Sequence, residues 1–296
     1  MPETRGPARR LDPVGVLLSC VGLTTAVYVI IERRLDWVLI AVAVAALVAF
    51  VLWERRREEP MLPLFLFRER NFTGASMSIL LMAFGAGAVM FMLTQYLQFV
   101  LGYAEIRAGL AMLPYAVAAA IFNGVGAGLG KKLGNRALVS GGLLVMAAGF
   151  VIMANAAGYP ALFTALLLMG VGGGLAGPSA YASLMNAIPI ERAGVGSAMN
   201  DTVQQVGLAL SIAVLGSVLA GVYTGQMPAS APDAARESIG VAIRLPELAD
   251  AAGAAFTTAM HVGSWVGAAF CVAASVVAAA LLRPAAPAPA QEPATV

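Results

Sequence analysis

The amino-acid sequence predicts an all-α polytopic membrane protein with eight transmembrane helices. Three observations carry this. The chain of 296 residues is 60% hydrophobic and only 11% charged, with a mean hydropathy of +0.83, far from the roughly 25% charged residues of a soluble domain. Its apolar residues fall into eight long stretches, and a helix needs about 20 such residues to cross the roughly 30 Å hydrocarbon core. The loops between them alternate between rich and poor in Lys and Arg.

The spans are read at residues 13–31, 37–53, 73–100, 109–130, 137–157, 160–184, 195–223 and 254–282. The first follows Arg5, Arg9 and Arg10 as a signal peptide would, but its apolar run is too long and no small-residue cleavage site follows, so it stays as an anchor. The second is the shortest. A charged run from Glu54 through Arg55, Arg56, Arg57, Glu58 and Glu59 to Pro60 then makes the clearest internal boundary. Residues 61–72 mix Leu, Phe and Arg and suit a helix lying on the membrane surface. Six further spans follow, with a long outer loop at 225–252 and a Pro/Ala-rich tail, 284–296, that has too little apolar surface to order. The division is therefore 1–60 (two spans with basic flanks), 61–283 (a six-helix bundle) and the tail.

Basic residues are retained on the cytoplasmic side during insertion. With the N-terminus inside, thirteen of the 18 lie on cytoplasmic segments and five on the opposite loops, leaving none within a span. Both termini are expected to be cytoplasmic and the protein to be multi-pass in the plasma (inner) membrane. The net charge of +2 reflects this topology, not a nucleic-acid partner. Cys20 and Cys271 both fall within spans and read as packing residues, since two unpaired thiols make neither a disulfide framework nor a metal site.

Small residues crowd the later spans. The spacings of Gly124 and Gly128, Gly126 and Gly130, and Gly170 and Gly174 allow close helix approach in lipid. Gly172-Gly173-Gly174-Leu175-Ala176-Gly177 matches G-x-G-x-x-G but lacks the strand and βαβ unit of a dinucleotide site, so it reads as helix packing. There is no phosphate loop, no H-E-x-x-H and no nucleophile with a base and an orienting acid. No catalytic residue, metal ligand or cofactor is expected.

An ionisable side chain in hydrocarbon costs at least about 2.5 to 3.5 kcal/mol, so such groups face a cavity or a partner. Asp201 is the acid of this kind. Ser197, Asp201, Gln204, Leu208 and Ser211, three and four apart, form one stripe, with Asn200 and Gln205 beside it. Either this stripe lines a polar route on which Asp201 exchanges a proton or meets a cation, or Asp201 sits near enough to the helix N-terminus to be stabilised there and to reach water. Gln95 and Gln98 could line a vestibule or join helices. His261 could titrate near neutrality or be structural. Asn123 and Tyr115 leave the same two readings open.

The string Tyr96-Leu97-Gln98-Phe99-Val100-Leu101-Gly102-Tyr103, followed by Ala108-Gly109-Leu110 and Leu113-Pro114, resembles the fourteen-span drug/proton antiporter branch of the major facilitator superfamily. Ala193-Gly194-Val195-Gly196-Ser197-Ala198-Met199-Asn200-Asp201-Thr202 and Gln205-Val206-Gly207 look like its penultimate helix, and Leu64-Phe65-Leu66-Phe67-Arg68 with Phe72 the approach to its second bundle. The resemblance implies two linker spans followed by a major-facilitator C-terminal bundle, and proton-coupled antiport of small hydrophobic or cationic compounds. The loop holding Lys131, Lys132, Gly134 and Arg136 is similar to the superfamily's gating loop. Lys131 stands where that motif has an Asp, and Gln204 where an Arg is often found. A complete member carries six more spans before these, so the expectation is a C-terminal part, from a truncated gene or a start set too far downstream, inactive without a missing N-terminal bundle. A homodimerising half-transporter and a non-transporting accessory membrane protein are the alternatives.

Overall fold

A computed structural model describes residues 12–32, 36–57, 64–189 and 193–282. Among these residues there is no strand, and eight helices are long and apolar enough to cross a membrane. They are α1 (Pro13–Glu32), α2 (Trp37–Arg56), α3 (Arg70–Gln95, prolonged by a π turn at Tyr96–Val100), α5 (Leu113–Leu133), α6 (Asn135–Met153), α7 (Tyr159–Asn186), α8 (Ala193–Gln226) and α11 (Pro246–Leu281). The short helices α4 (Glu105–Ala111), α9 (Asp233–Glu237) and α10 (Ile239–Ala242) lie in the connections. Every span read from the sequence is found. The tail, and Arg5, Arg9, Arg10, Arg33, Arg34, Arg192 and Arg283, lie outside the described residues.

Local chemistry sets the helix ends. Asp36 caps α2, its Oδ1 accepting from the backbone N–H of Val38 at 2.9 Å and Leu39 at 3.3 Å. Pro114, Pro160 and Pro246 occupy first turns, where the missing N–H costs nothing. The string at 96–103 is a helix stop: the Leu101 N–H reaches the Tyr96 carbonyl at 3.0 Å, the Tyr103 N–H reaches that of Leu97 at 2.9 Å, and Gly102 between them has φ +65°. Gly134 at φ +83° turns α5 directly into α6.

Two differences from the sequence reading concern connections. The stretch expected to lie on the surface as a helix shows a 3₁₀ turn, Leu64–Arg68, that leads into α3 at Arg70, and residues 58–63 lie outside the described residues. Leu66 and Phe72 are buried in the bundle, whereas Phe65 and Phe67 of the same stretch stay exposed. The long outer loop shrinks to residues 227–245, since α8 runs to Gln226 and α11 already begins at Pro246. It folds as a cap: the Tyr223 hydroxyl donates to the Ala235 carbonyl at 3.0 Å, the Thr224 hydroxyl to that of Arg236 at 3.0 Å, and Ala235, Ile239 and Ala242 are buried.

Helices α3, α6, α7, α8 and α11 share two apolar cores, one toward the cap around Phe84, Met92, Phe150, Met169 and Phe256, the other toward the opposite, terminal face around Phe72, Ile79, Leu143 and Leu184. Cys271 is fully buried within the first, whereas Cys20 points out of the protein. Glycine sets the closest contacts. A Cβ at Gly170 would fall on the Tyr115 carbonyl oxygen, joining α7 to α5, and one at Gly142 would meet the Gly172 carbonyl oxygen at 2.6 Å, joining α6 to α7. Helices α1 and α2 pair antiparallel, and α1 also lies along α8.

Candidate functional site

Helix α8 carries the acid. Gly207 seats it against α3, where an added Cβ would strike the Leu80 carbonyl oxygen. That contact fixes the rotation of α8. Met199, Asn200, Ser211, Ala213 and Leu215 turn inward and are buried, while Ser197, Asp201, Thr202, Gln205, Ala209 and Ile212 stay exposed on the opposite side.

The single stripe expected along this helix is therefore divided. Ser211 is fully buried on α3, its Oγ 3.1 Å from where a Cβ of Gly87 would stand and without a hydrogen-bond partner among the described residues. Leu208 leans the same way, and Gln204 is half-buried on the flank. Spacings of three and four admit two neighbouring stripes, and the close approach at Gly207 decides between them.

Asp201, Thr202, Gln205 and Ala209 face a half-open cavity of about 450 Å³ between α8 and α1. Val206 and Leu210 complete the α8 side, and Leu23, Ala26 and Val27 of α1 form the opposite wall. The lining is almost wholly apolar. Thr202 spends its hydroxyl on the Ala198 carbonyl of its own helix at 2.8 Å, and Asn200 Nδ2 donates to Asp201 Oδ1 at 3.2 Å. Asp201 lies near the start of α8, so the cavity runs from the terminal face toward mid-depth, and its carboxylate can accept from or pair with whatever enters.

The other candidates are not gathered here. Gln95 and Gln98 sit at the far end of α3, half-buried, with no hydrogen bond among the described residues. His261 Nε2 lies 3.1 Å from the Ala156 carbonyl oxygen and ties α11 to the connection between α6 and α7. On α5, Tyr115 is half-buried and Asn123 exposed, both beside the glycine contacts with α7. Lys132 and Arg136 are exposed on either side of Gly134, and Lys131 belongs to the last turn of α5.

Sequence reasoning missed a polar clasp at the foot of the α1–α2 hairpin. Asp12 accepts from the Gly15 N–H at 3.0 Å, from Trp53 Nε1 at 2.9 Å and from Arg57 Nη2 at 3.3 Å, and the Arg57 guanidinium lies over the Trp53 ring at 5.1 Å. The Gly15 N–H foremost, with Trp53 and Arg57, holds the Asp12 carboxyl below its ordinary value of 3.8, although partial desolvation works the other way. Buried Glu54 reaches the same spot, its Oε1 3.1 Å from where a Cβ of Gly15 would stand. An Asp directly before a Pro that opens an apolar run is a helix-start signal, and it could have located this group.

A bundle of this kind, with a polar helix face turned to an apolar cavity, defines the class as a polytopic α-helical membrane protein. The chain belongs to the Major Facilitator Superfamily, whose family model matches residues 12–212 and 75–295. It is 33% identical over 227 residues to the multidrug resistance protein Stp of Mycobacterium tuberculosis, an alignment covering 72% of this chain and 41% of Stp. Against the multidrug efflux pump LfrA of Mycolicibacterium smegmatis it is 28% identical over 308 residues, covering 96% of this chain and 61% of the pump. The chain thus spans about half the length of the curated relatives it matches. In fold it is similar to a bacterial homologue of the human lysosomal transporter Spinster in an inward-facing, occupied conformation, with a TM-score of 0.59 at 18% identity over 93% of this chain and 67% of the other.

Proposed function

We propose that this chain is the C-terminal part of a multidrug-type efflux transporter of the plasma membrane, exporting small hydrophobic or cationic compounds in exchange for protons. Asp201 carries the reading: one carboxylate on a wall of small and apolar side chains, able to hold a cation or a proton but not both. The drug-resistance and efflux names of the relatives support it. In this reading α1 and α2 are linker spans, α3 to α11 are the second bundle, and both termini face the cytoplasm.

Alternating access rocks one bundle against another around a midplane site, so the chain is expected to need a partner bundle. The uncovered side of α5 supports that need: Val117 and Ile121 are exposed, and nothing lies within 4 Å of the Cβ positions of Gly124 and Gly128. Expressed alone in an efflux-deficient bacterium, the protein should leave dye accumulation and drug tolerance unchanged, and co-expression of a first bundle from a relative should restore efflux that Asp201→Asn abolishes. Proton-dependent dye efflux from vesicles holding only this chain overturns the need for a first bundle and makes a homodimer the better account. Restored efflux that survives Asp201→Asn removes Asp201 from the mechanism.

A further inference from the structure

We infer that the row of aromatic rings between α4 and the start of α7 is a lipid site, where Arg107 holds the phosphate of a glycerophospholipid of single negative charge and Phe163 lies along its acyl chain. The inference goes beyond the transport reading and stands whether or not the chain moves a solute.

Two glycine turns build the row. Gly102 at φ +65° ends the string at 96–103 and sets Tyr103 beside α4, and Gly158 at φ +90° opens α7 at Tyr159. The Tyr159 hydroxyl donates to the Ala111 carbonyl at 3.1 Å, fastening the first turn of α7 to the end of α4. The Tyr103 and Tyr159 rings then stand 6.2 Å apart, and the Phe163 ring follows 6.3 Å from that of Tyr159. Phe163 is one turn further along α7, about 6 Å deeper into the membrane, and its ring is exposed. Tyrosines at the boundary with water and a phenylalanine below them suit a surface that meets lipid at headgroup depth and beneath it.

A charge stands at the top of the row. Arg107 is exposed, and its Cζ lies 4.1 Å from the centroid of the Tyr103 ring. Among the described residues no carboxylate pairs with it. Glu105 is two residues away in sequence, so it does not share the face of α4 that carries Arg107. A guanidinium laid on a ring keeps its N–H edge for two oxygens at once, which fits a phosphate. Free phosphate would use the charge and leave the rings bare, whereas a lipid uses both. A choline or ethanolamine headgroup brings a cation of its own beside Arg107, so a headgroup with net negative charge is favoured.

The test uses the full chain with Cys20→Ser and Cys271→Ala, labelled with bimane at Thr164→Cys, beside Phe163, or at Val276→Cys, exposed on the terminal half of α11. Phosphatidylcholine nanodiscs carry a minor share of phosphatidylglycerol or phosphatidylcholine with brominated chains, which quench the label on contact. At position 164 phosphatidylglycerol should be preferred about fivefold, and at 276 not at all. Arg107→Gln and Tyr103→Leu should each remove the preference in variants whose label at 276 is quenched as before. Arg244→Gln, which removes another exposed cation of the capped side, should leave it intact. Equal preference at 164 and 276, or a preference that survives Arg107→Gln or Tyr103→Leu, overturns the site. Loss in Arg244→Gln as complete as in Arg107→Gln reduces it to general surface charge and overturns it too. Inorganic phosphate in large excess at constant ionic strength should leave quenching at 164 unchanged, and displacement of the lipid by it would make this a free-anion site and overturn the lipid assignment.

Discussion

The hydroxyl of Ser217, in the cap-side third of α8, donates to the carbonyl oxygen of Ile30 at the end of α1, at 2.6 Å across 187 positions of sequence. The last four carbonyls of any helix lack an intrahelical donor, and in hydrocarbon such a group has no water to turn to. Helix α1 ends at Glu32, so Ile30 is among them. One contact therefore caps a helix and docks the hairpin on the bundle.

Ser217→Ala should loosen α1 without unfolding the bundle. The lost hydrogen bond and the orphaned carbonyl together are worth about 1 to 2 kcal/mol. Hydrogen exchange in nanodiscs is expected to speed up in the last turn of α1 while α3, α7 and α11 stay protected. Unchanged exchange at residues 27–32 would show that the hairpin is held by packing alone.

The clasp at Asp12 predicts a pH dependence. Its folded pKa is depressed, so its stabilisation is complete above the ordinary value of 3.8 and is lost as the pH falls through the lower folded value. Wild type should melt above Asp12→Asn at pH 7, and the gap should close as the solution is taken to strongly acid pH. A gap that persists there would mean that the contact does not depend on the charge of Asp12.

Glycine substitutions should divide by position. Gly170→Ala puts a methyl group on the Tyr115 carbonyl and forces α5 and α7 apart, at a cost of about 1 to 3 kcal/mol. Gly124→Ala and Gly128→Ala meet nothing within 4 Å and should lie within about 0.5 kcal/mol of wild type. Thermal unfolding in detergent reads the difference, and equal losses at all three sites would contradict the packing described for α5.

That contrast shows what hydropathy and spacing could reveal. The spans were legible because length and apolarity alone decide membrane insertion: α2 starts at Trp37 and α8 takes in the whole of 195–223 as read. The G-x-x-x-G spacings marked close approach but not direction, so Gly126 and Gly170 meet a neighbour while Gly124 and Gly128 do not. Asp201 was legible as a costly acid. Its surroundings were not, because the wall formed by Leu23, Ala26 and Val27 lies some 180 residues away in sequence and carries no polar signal.

The rotation of α8 can be checked chemically. With Cys20→Ser and Cys271→Ala as background, single cysteines at Gln205 and Ala209 should react with a small water-soluble thiol reagent faster than cysteines at Ser211 and Leu215, since the first pair lines the cavity and the second is fully buried on the bundle side. Leu208 and Gln204 should fall between, being half-buried on the flank. A helix turned as the even spacing of Ser197, Asp201, Gln204, Leu208 and Ser211 alone suggests would reverse the order, with 204 and 208 fast and 205 slow. The two registers differ by about 100° of rotation, one residue on a 3.6-residue helix, so the labelling pattern separates them without any assay of transport.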